Sequence, residues 1–185
     1  AVGRLRSFQG NFGMMVLAYA YLRDMGAEGL QRATELAVLN ANSLRVRLGD
    51  TWHVPYDSIC MHEVVISDRH LKPSGVSTMD VAKRLMDYGF HPPTVYFPLV
   101  VNGAMLIEPT ETESLQTLDE FVDAMKTISD EAIADPDFVK SAPKSTRLRR
   151  LDETRAARKP VLRWTAPETP REPSSASGET AEKRP

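Results

Sequence analysis

The segment FGMMVLAYAYLRDMG, Phe12–Gly26, limits the possible folds more than any other feature of the chain. Wound as a helix, it carries apolar side chains on nearly every side. Such a helix is normally buried within a larger protein or at an interface. Asn11 is placed to cap it and Gly26 to stop it. The chain opens AVGRLRSFQGNFG, with no initiator Met and no secondary-structure signal before Asn11. It reads as a polypeptide entered partway through, so a fragment is expected.

Regular patterning follows. Leu30, Ala33, Ala37, Ala41, Leu44 and Leu48 recur at steps of three or four, which predicts a second helix over Glu28–Leu48. CMHEVVIS, Cys60–Ser67, is short and β-branched and predicts a strand. Ser77 opens a helix with Val81, Ala82, Leu85 and Met86 inward and Gly89 as its stop. PTVYFPLVV and AMLIEPT flank Asn102-Gly103, a strong signal for a tight hairpin. Pro98 within the first run predicts an edge strand or a bulge. A long helix is predicted over Glu113–Ala134, with Leu115, Leu118, Val122, Met125 and Ile128 inward and Pro136 ending it.

The order helix, helix, strand, helix, hairpin, helix predicts an α+β fold, a small mostly antiparallel sheet covered by helices. Four segments are expected: a helical segment at 1–50, an α+β small domain at 51–139, a basic arm at 140–164 and a tail at 165–185. The tail has many Pro, Ser, Thr and Glu and no large apolar residue, a composition that predicts disorder.

Composition excludes several classes. A formal net charge of -2 argues against the whole chain being a nucleic-acid binder. Cys60 is the only cysteine, so no internal disulfide forms, which suits a reducing compartment such as the cytoplasm. The longest apolar run, Met14–Leu22, falls far short of the ~20 residues that span a bilayer. The basic, polar opening is not a signal peptide.

Candidate chemistry is sparse. His62-Glu63 suggests a zinc protease only superficially, because that pattern needs a second His where Ile66 stands, and on a helix. No metal site is expected. Gly10-Asn11-Phe12-Gly13 suits a phosphate-cradling turn or, better, a helix cap. Glu108, Glu111 and Glu113 resemble an acid/base cluster, but Glu111 and Glu113 sit where a helix begins and are expected to favour its N-terminus, and Glu108 is expected to be structural. The basic stretch Arg147–Trp164 reads as an arm wrapping its own protein or a partner subunit. His91, stiffened by Pro92 and Pro93, is the best single candidate for acid/base work.

Several long stretches in this order also carry a resemblance: GRLRSFQGNFGMMVLAYAYLRDMG, AVLNANSL, CMHEVVIS, DYGFHPPTVYFPL with MLIEPTETES, and RRLDETRAARKPVLRW. Together they resemble the C-terminal part of the glycine decarboxylase P-proteins, and most closely subunit 2 of the two-subunit bacterial form. The resemblance covers roughly Ala1–Trp164. It implies the C-terminal small domain of a fold-type I pyridoxal-phosphate enzyme. Such an enzyme decarboxylates glycine and passes the aminomethyl group to the lipoyl arm of the H-protein.

The implied partners are glycine, the lipoylated H-protein, subunit 1 and a second copy of the P-protein, with neither nucleic acid nor membrane among them. The family's Schiff-base lysine lies in a His-Lys-Thr motif. No His-Lys pair exists here, so the cofactor-anchoring large domain is expected upstream, no catalytic residue is assigned, and this chain alone is expected to be inactive. By the same resemblance, Gly10, Asn11, His91 and Thr94 become pocket candidates toward cofactor or substrate. The competing readings are another fold-type I enzyme, such as an aminotransferase, and a non-catalytic α+β binding module.

Overall fold

The computed structural model describes Gly3 and residues 7–166. They fall into two compact units, Ala1–Arg150 and Leu151–Pro185. Apart from Thr165 and Ala166, the tail expected to be disordered lies outside the described residues.

Helix α1 (Phe12–Leu48) begins where the Asn11 side chain accepts a hydrogen bond from the Gly13 N–H at 3.1 Å. The two predicted helices both form and abut at Gly26, whose φ of 61° and ψ of -175° interrupt the helical path. Glycine reaches that conformation without the Cβ clash other residues meet. The first half of α1 is exposed on all sides, with Phe12 at 77% and Leu17 at 64%. Only the last turns reach the core, through Ala41, Leu44 and Leu48.

A three-stranded antiparallel sheet follows, in the order β1 (Val64–Ser67), β3 (Ala104–Ile107), β2 (Thr94–Val95). Its register pairs Val64 with Ile107 and Ser67 with Ala104 on one side, and Thr94 with Leu106 on the other. The sequence predicts a strand from Cys60, but pairing starts only at Val64. The next pairs outward would set Glu63 against Glu108 and His62 against Pro109, which are two like charges and a residue with no N–H to donate.

Asn102-Gly103 does not close the predicted tight hairpin. The ladder ends where the Tyr96 N–H donates to the Ala104 carbonyl at 2.7 Å, and residues 97–103 form a loop. Pro98 cannot donate to a longer ladder. The Gly103 carbonyl is already taken, accepting from the Asp68 N–H at 3.1 Å and the Thr78 hydroxyl at 2.8 Å. β2 is an edge strand, as Pro98 predicts.

Helix α2 (Thr78–Asp87) starts with a reciprocal cap between Ser77 and Asp80. Its inner face, Val81, Ala82 and Leu85, packs in a core with Ile66, Leu71, Met105, Met125 and Ile128. Met86 is only half-buried. Helix α3 (Leu115–Ala134) buries Leu118, Phe121, Val122, Met125 and Ile128. Leu115 departs from the predicted stripe: it sits in the first turn, 69% exposed, and Phe121 and Ala132 complete the inner face. Asp135 caps both the end of α3 and the start of α4 (Pro136–Lys140), so Pro136 opens a helix as well as ending one.

Residues 142–150 wrap their own unit. Arg150 pairs with Asp80 at 2.7 Å and donates to the Ala142 carbonyl, and Asp87 accepts from Lys144 and Ser145. The second unit contains α5 (Glu153–Arg158), capped by Asp152, with no buried residue in the helix.

Candidate functional site

A cleft of about 730 Å³ opens beside the sheet. One wall is the chain leaving α2. Gly89, at φ 83°, turns it away from the helix, and Phe90 anchors it edge-on against Phe121 with ring centroids 5.3 Å apart. His91, Pro92, Pro93 and Thr94 then run along the rim. The other wall is the exit from β3, Glu108-Pro109-Thr110, continuing to Glu113, Thr117 and Glu120 at the start of α3. Leu44 from α1 and Leu118 also line the space.

Of the four pocket candidates, His91 and Thr94 share this cleft. Both are exposed, and neither side chain has a hydrogen-bond partner among the described residues. His91 is therefore not a satisfied core histidine. Gly10 and Asn11 do not line the cleft. Asn11 spends its side chain on the α1 cap. Gly10, at φ 121°, lies so close to Met15 that a Cβ there would meet its terminal methyl.

None of Glu108, Glu111 and Glu113 supplies the capping hydrogen bond at the start of α3, although Glu113 stands beside the cap. Ser114, not a glutamate, accepts the free Thr117 N–H at the start of α3, at 3.0 Å. Glu108 and Glu113 line the cleft instead, with Glu63 and Glu120, while Glu111 accepts from the Tyr21 hydroxyl at 3.4 Å. Nothing local marks Glu120, and Glu63 enters the sequence reading only beside His62, in a zinc pattern that fails; the sheet register and the first turns of α3 bring the two together.

His62 stands next to this lining. Its Nε2 lies 3.7 Å from Glu63 and 3.8 Å from Glu108. Cys60 nearby is not an activated thiolate. Burial pushes its pKa up, against a smaller lowering by its own backbone N–H and by Arg45.

This lining does not fit pyridoxal phosphate. The cofactor needs a lysine for its aldehyde and cationic or N–H donors for its phosphate. Among the described residues no Lys or Arg lines the cleft, and four glutamates do. Among the described lysines, Lys140 donates to the Ser74 carbonyl at 3.1 Å and Lys144 sits 3.6 Å over the Phe138 ring.

A family profile described as "Glycine dehydrogenase, C-terminal domain" matches residues 33–147, more than half of the chain. The chain belongs to this family. The glycine dehydrogenase C-terminal domain thus begins within α1 and includes the whole cleft, while Gly10 and Asn11 precede the matched region.

Three curated relatives share the printed name "Probable glycine dehydrogenase (decarboxylating) subunit 2". The Listeria innocua protein is 56% identical over 164 residues, 89% of this chain and 34% of the relative. The Caldanaerobacter subterraneus protein is 55% identical over 165 residues, again 89% and 34%. The Staphylococcus haemolyticus protein is 56% identical over 164 residues, 89% and 33%. The chain spans about a third of the length of the curated relatives it matches.

Among the described residues, no helix is long and apolar enough to cross a membrane.

Proposed function

We propose that this chain is the C-terminal part of a cytoplasmic glycine-decarboxylating subunit of the glycine cleavage system. In this reading the complete protein uses pyridoxal phosphate to decarboxylate glycine. It then hands the aminomethyl group to the lipoyl arm of the H-protein, working with a companion subunit 1 and a second copy of itself. The observation that carries the reading is 56% identity over 89% of the chain to a glycine dehydrogenase subunit 2. The names of the relatives favour it over an aminotransferase or a non-catalytic module.

The cofactor is anchored by residues outside this chain. The acidic cleft supports that division, because four glutamates would repel a phosphate rather than hold it. The exposed apolar first half of α1 also supports a larger protein around this domain. What this chain contributes is a wall. Phe90 and Phe121 fix the chain leaving α2, the two prolines stiffen it, and His91 and Thr94 present an imidazole and a hydroxyl at the rim. An imidazole on this rim is placed to accept a proton from, or return one to, a molecule in the cleft.

The test compares the 185-residue chain with the complete protein. The complete protein, assembled with subunit 1 and pyridoxal phosphate, is expected to exchange the glycine carboxyl with bicarbonate. The chain alone, mixed with pyridoxal phosphate and borohydride, is expected to yield no adduct at a single lysine. Absence of exchange in the complete protein, or one specific reducible lysine in the chain alone, overturns the reading.

A further inference from the structure

We propose that His62, Glu63 and Glu108 form a binding site for a divalent transition-metal ion of the zinc type. The site follows from the end of the sheet. Val64 and Ile107 are the last paired residues of β1 and β3. The next position outward on each strand is a glutamate, Glu63 and Glu108, followed by His62 on one side and Pro109 on the other.

Like charges across a strand pair are destabilising unless something cationic lies between them. Neither glutamate has a lysine or arginine partner among the described residues; their ion-pairing contacts are to His62 alone.

Those contacts are not hydrogen bonds. At 3.7 and 3.8 Å the imidazole nitrogen is beyond the usual 2.7–3.2 Å range of an N–H···O bond. Yet one ligand atom from each residue lies within 4.8 Å of the others. A tetrahedral ion with bonds of about 2.1 Å holds its ligand atoms about 3.4 Å apart. The two imidazole–carboxylate distances are a few tenths of an ångström wider than such a site, and the widest separation in the trio is up to about 1.4 Å wider, a gap that rotamer changes of these exposed side chains close.

One imidazole nitrogen and two carboxylate oxygens suit zinc and its neighbours, and two negative charges balance the ion. Side-chain exposures of 53%, 39% and 56% let the ion enter from solvent. Three protein ligands leave the fourth position for water or an outside donor. Glu63 and Glu108 also line the cleft, so a bound ion would sit on its rim and cancel part of its negative charge.

The test is calorimetric titration of the chain with zinc chloride in phosphate-free buffer, in wild type and in Cys60→Ser. The second background removes the one thiol that could compete. Saturable one-to-one binding is expected in both. His62→Asn and Glu108→Gln are each expected to weaken it by at least about tenfold, comparable to the loss of even an outer-shell contact. No saturable binding, binding lost in Cys60→Ser, or binding unchanged in either ligand variant overturns the site.

A second measurement needs no variant. Paramagnetic cobalt(II) added to wild type is expected to broaden the ring protons of His62 first among the four histidines. Broadening centred on another histidine overturns the proposal even if the variants fail to fold.

Discussion

Replacing Asp87 with Asn is expected to destabilise the fold by about 2 kcal/mol at neutral pH. Asp87 ends α2 with its side chain only 4% exposed. One carboxylate oxygen accepts from the Lys144 N–H at 2.6 Å, and from the Ser145 N–H and hydroxyl at 2.7 Å each. The other pairs with Arg84 at 3.0 Å. Burial alone would push the carboxyl pKa up. The Ser145 and Lys144 hydrogen bonds and the Arg84 guanidinium outweigh it and hold the pKa at about 2, against an ordinary 3.8. That interval corresponds to about 2 kcal/mol, because each pKa unit is worth about 1.4.

Asparagine keeps the shape and loses the charge, and its amide group places a donor among groups that already donate. Because the folded carboxyl titrates below the unfolded one, its contribution is complete well above pH 4 and is lost as the pH falls through about 2. Roughly half should be gone by pH 3. Urea unfolding followed by circular dichroism at pH 7 and pH 3 measures both points. A variant within ~0.5 kcal/mol of wild type at pH 7 would refute the reasoning, since that is the scale of an ordinary surface change. A gap of equal size at pH 3 would refute it as well.

Other expectations follow from the same geometry. Gly103→Ala adds a Cβ at φ 68° that meets the Asp68 carboxylate, and should cost about 2–4 kcal/mol in chemical denaturation; a neutral result would mean the loop relaxes freely. Leu17→Asp with Leu22→Asp, on the exposed first half of α1, should abolish concentration-dependent association in sedimentation while stability stays within ~0.5 kcal/mol. His91→Asn in the assembled enzyme should leave the melting temperature unchanged and lower glycine–bicarbonate exchange by ~10²–10⁴-fold; unchanged exchange retires His91 as an acid/base group.

What the sequence makes legible is set by how local each cause is. Caps are local: Asn11 before α1, Ser77 with Asp80 before α2 and Gly26 between two helical runs all act where they are read. The core stripe of α3 is equally local in period, apart from Leu115, whose place in the first turn takes it off the buried face. The hairpin is different. Asn102-Gly103 has the right chemistry for a tight turn, but the Gly103 carbonyl is claimed from outside by Asp68 and Thr78. Asp68 follows β1 and Thr78 opens α2, and no window around residue 103 contains them. A local preference worth about 1 kcal/mol gives way to two hydrogen bonds and a buried carboxylate.

The site divides along the same line. His91 and Thr94 stand together in sequence between a helix stop and a strand, so a reader of that stretch finds both. The acidic lining has no such signature. Glu63 precedes β1, Glu108 follows β3, and Glu113 and Glu120 flank the start of α3, so only the antiparallel register and the turn into α3 gather them. Read singly, each is an ordinary surface glutamate. Gathered, they change what the cleft can accept, because carboxylates around one space favour cations and disfavour phosphate. A phosphate-bearing cofactor would therefore need its cationic contacts from residues outside this lining. This domain offers the imidazole of the rim and a negative surface suited to an amine or a metal ion.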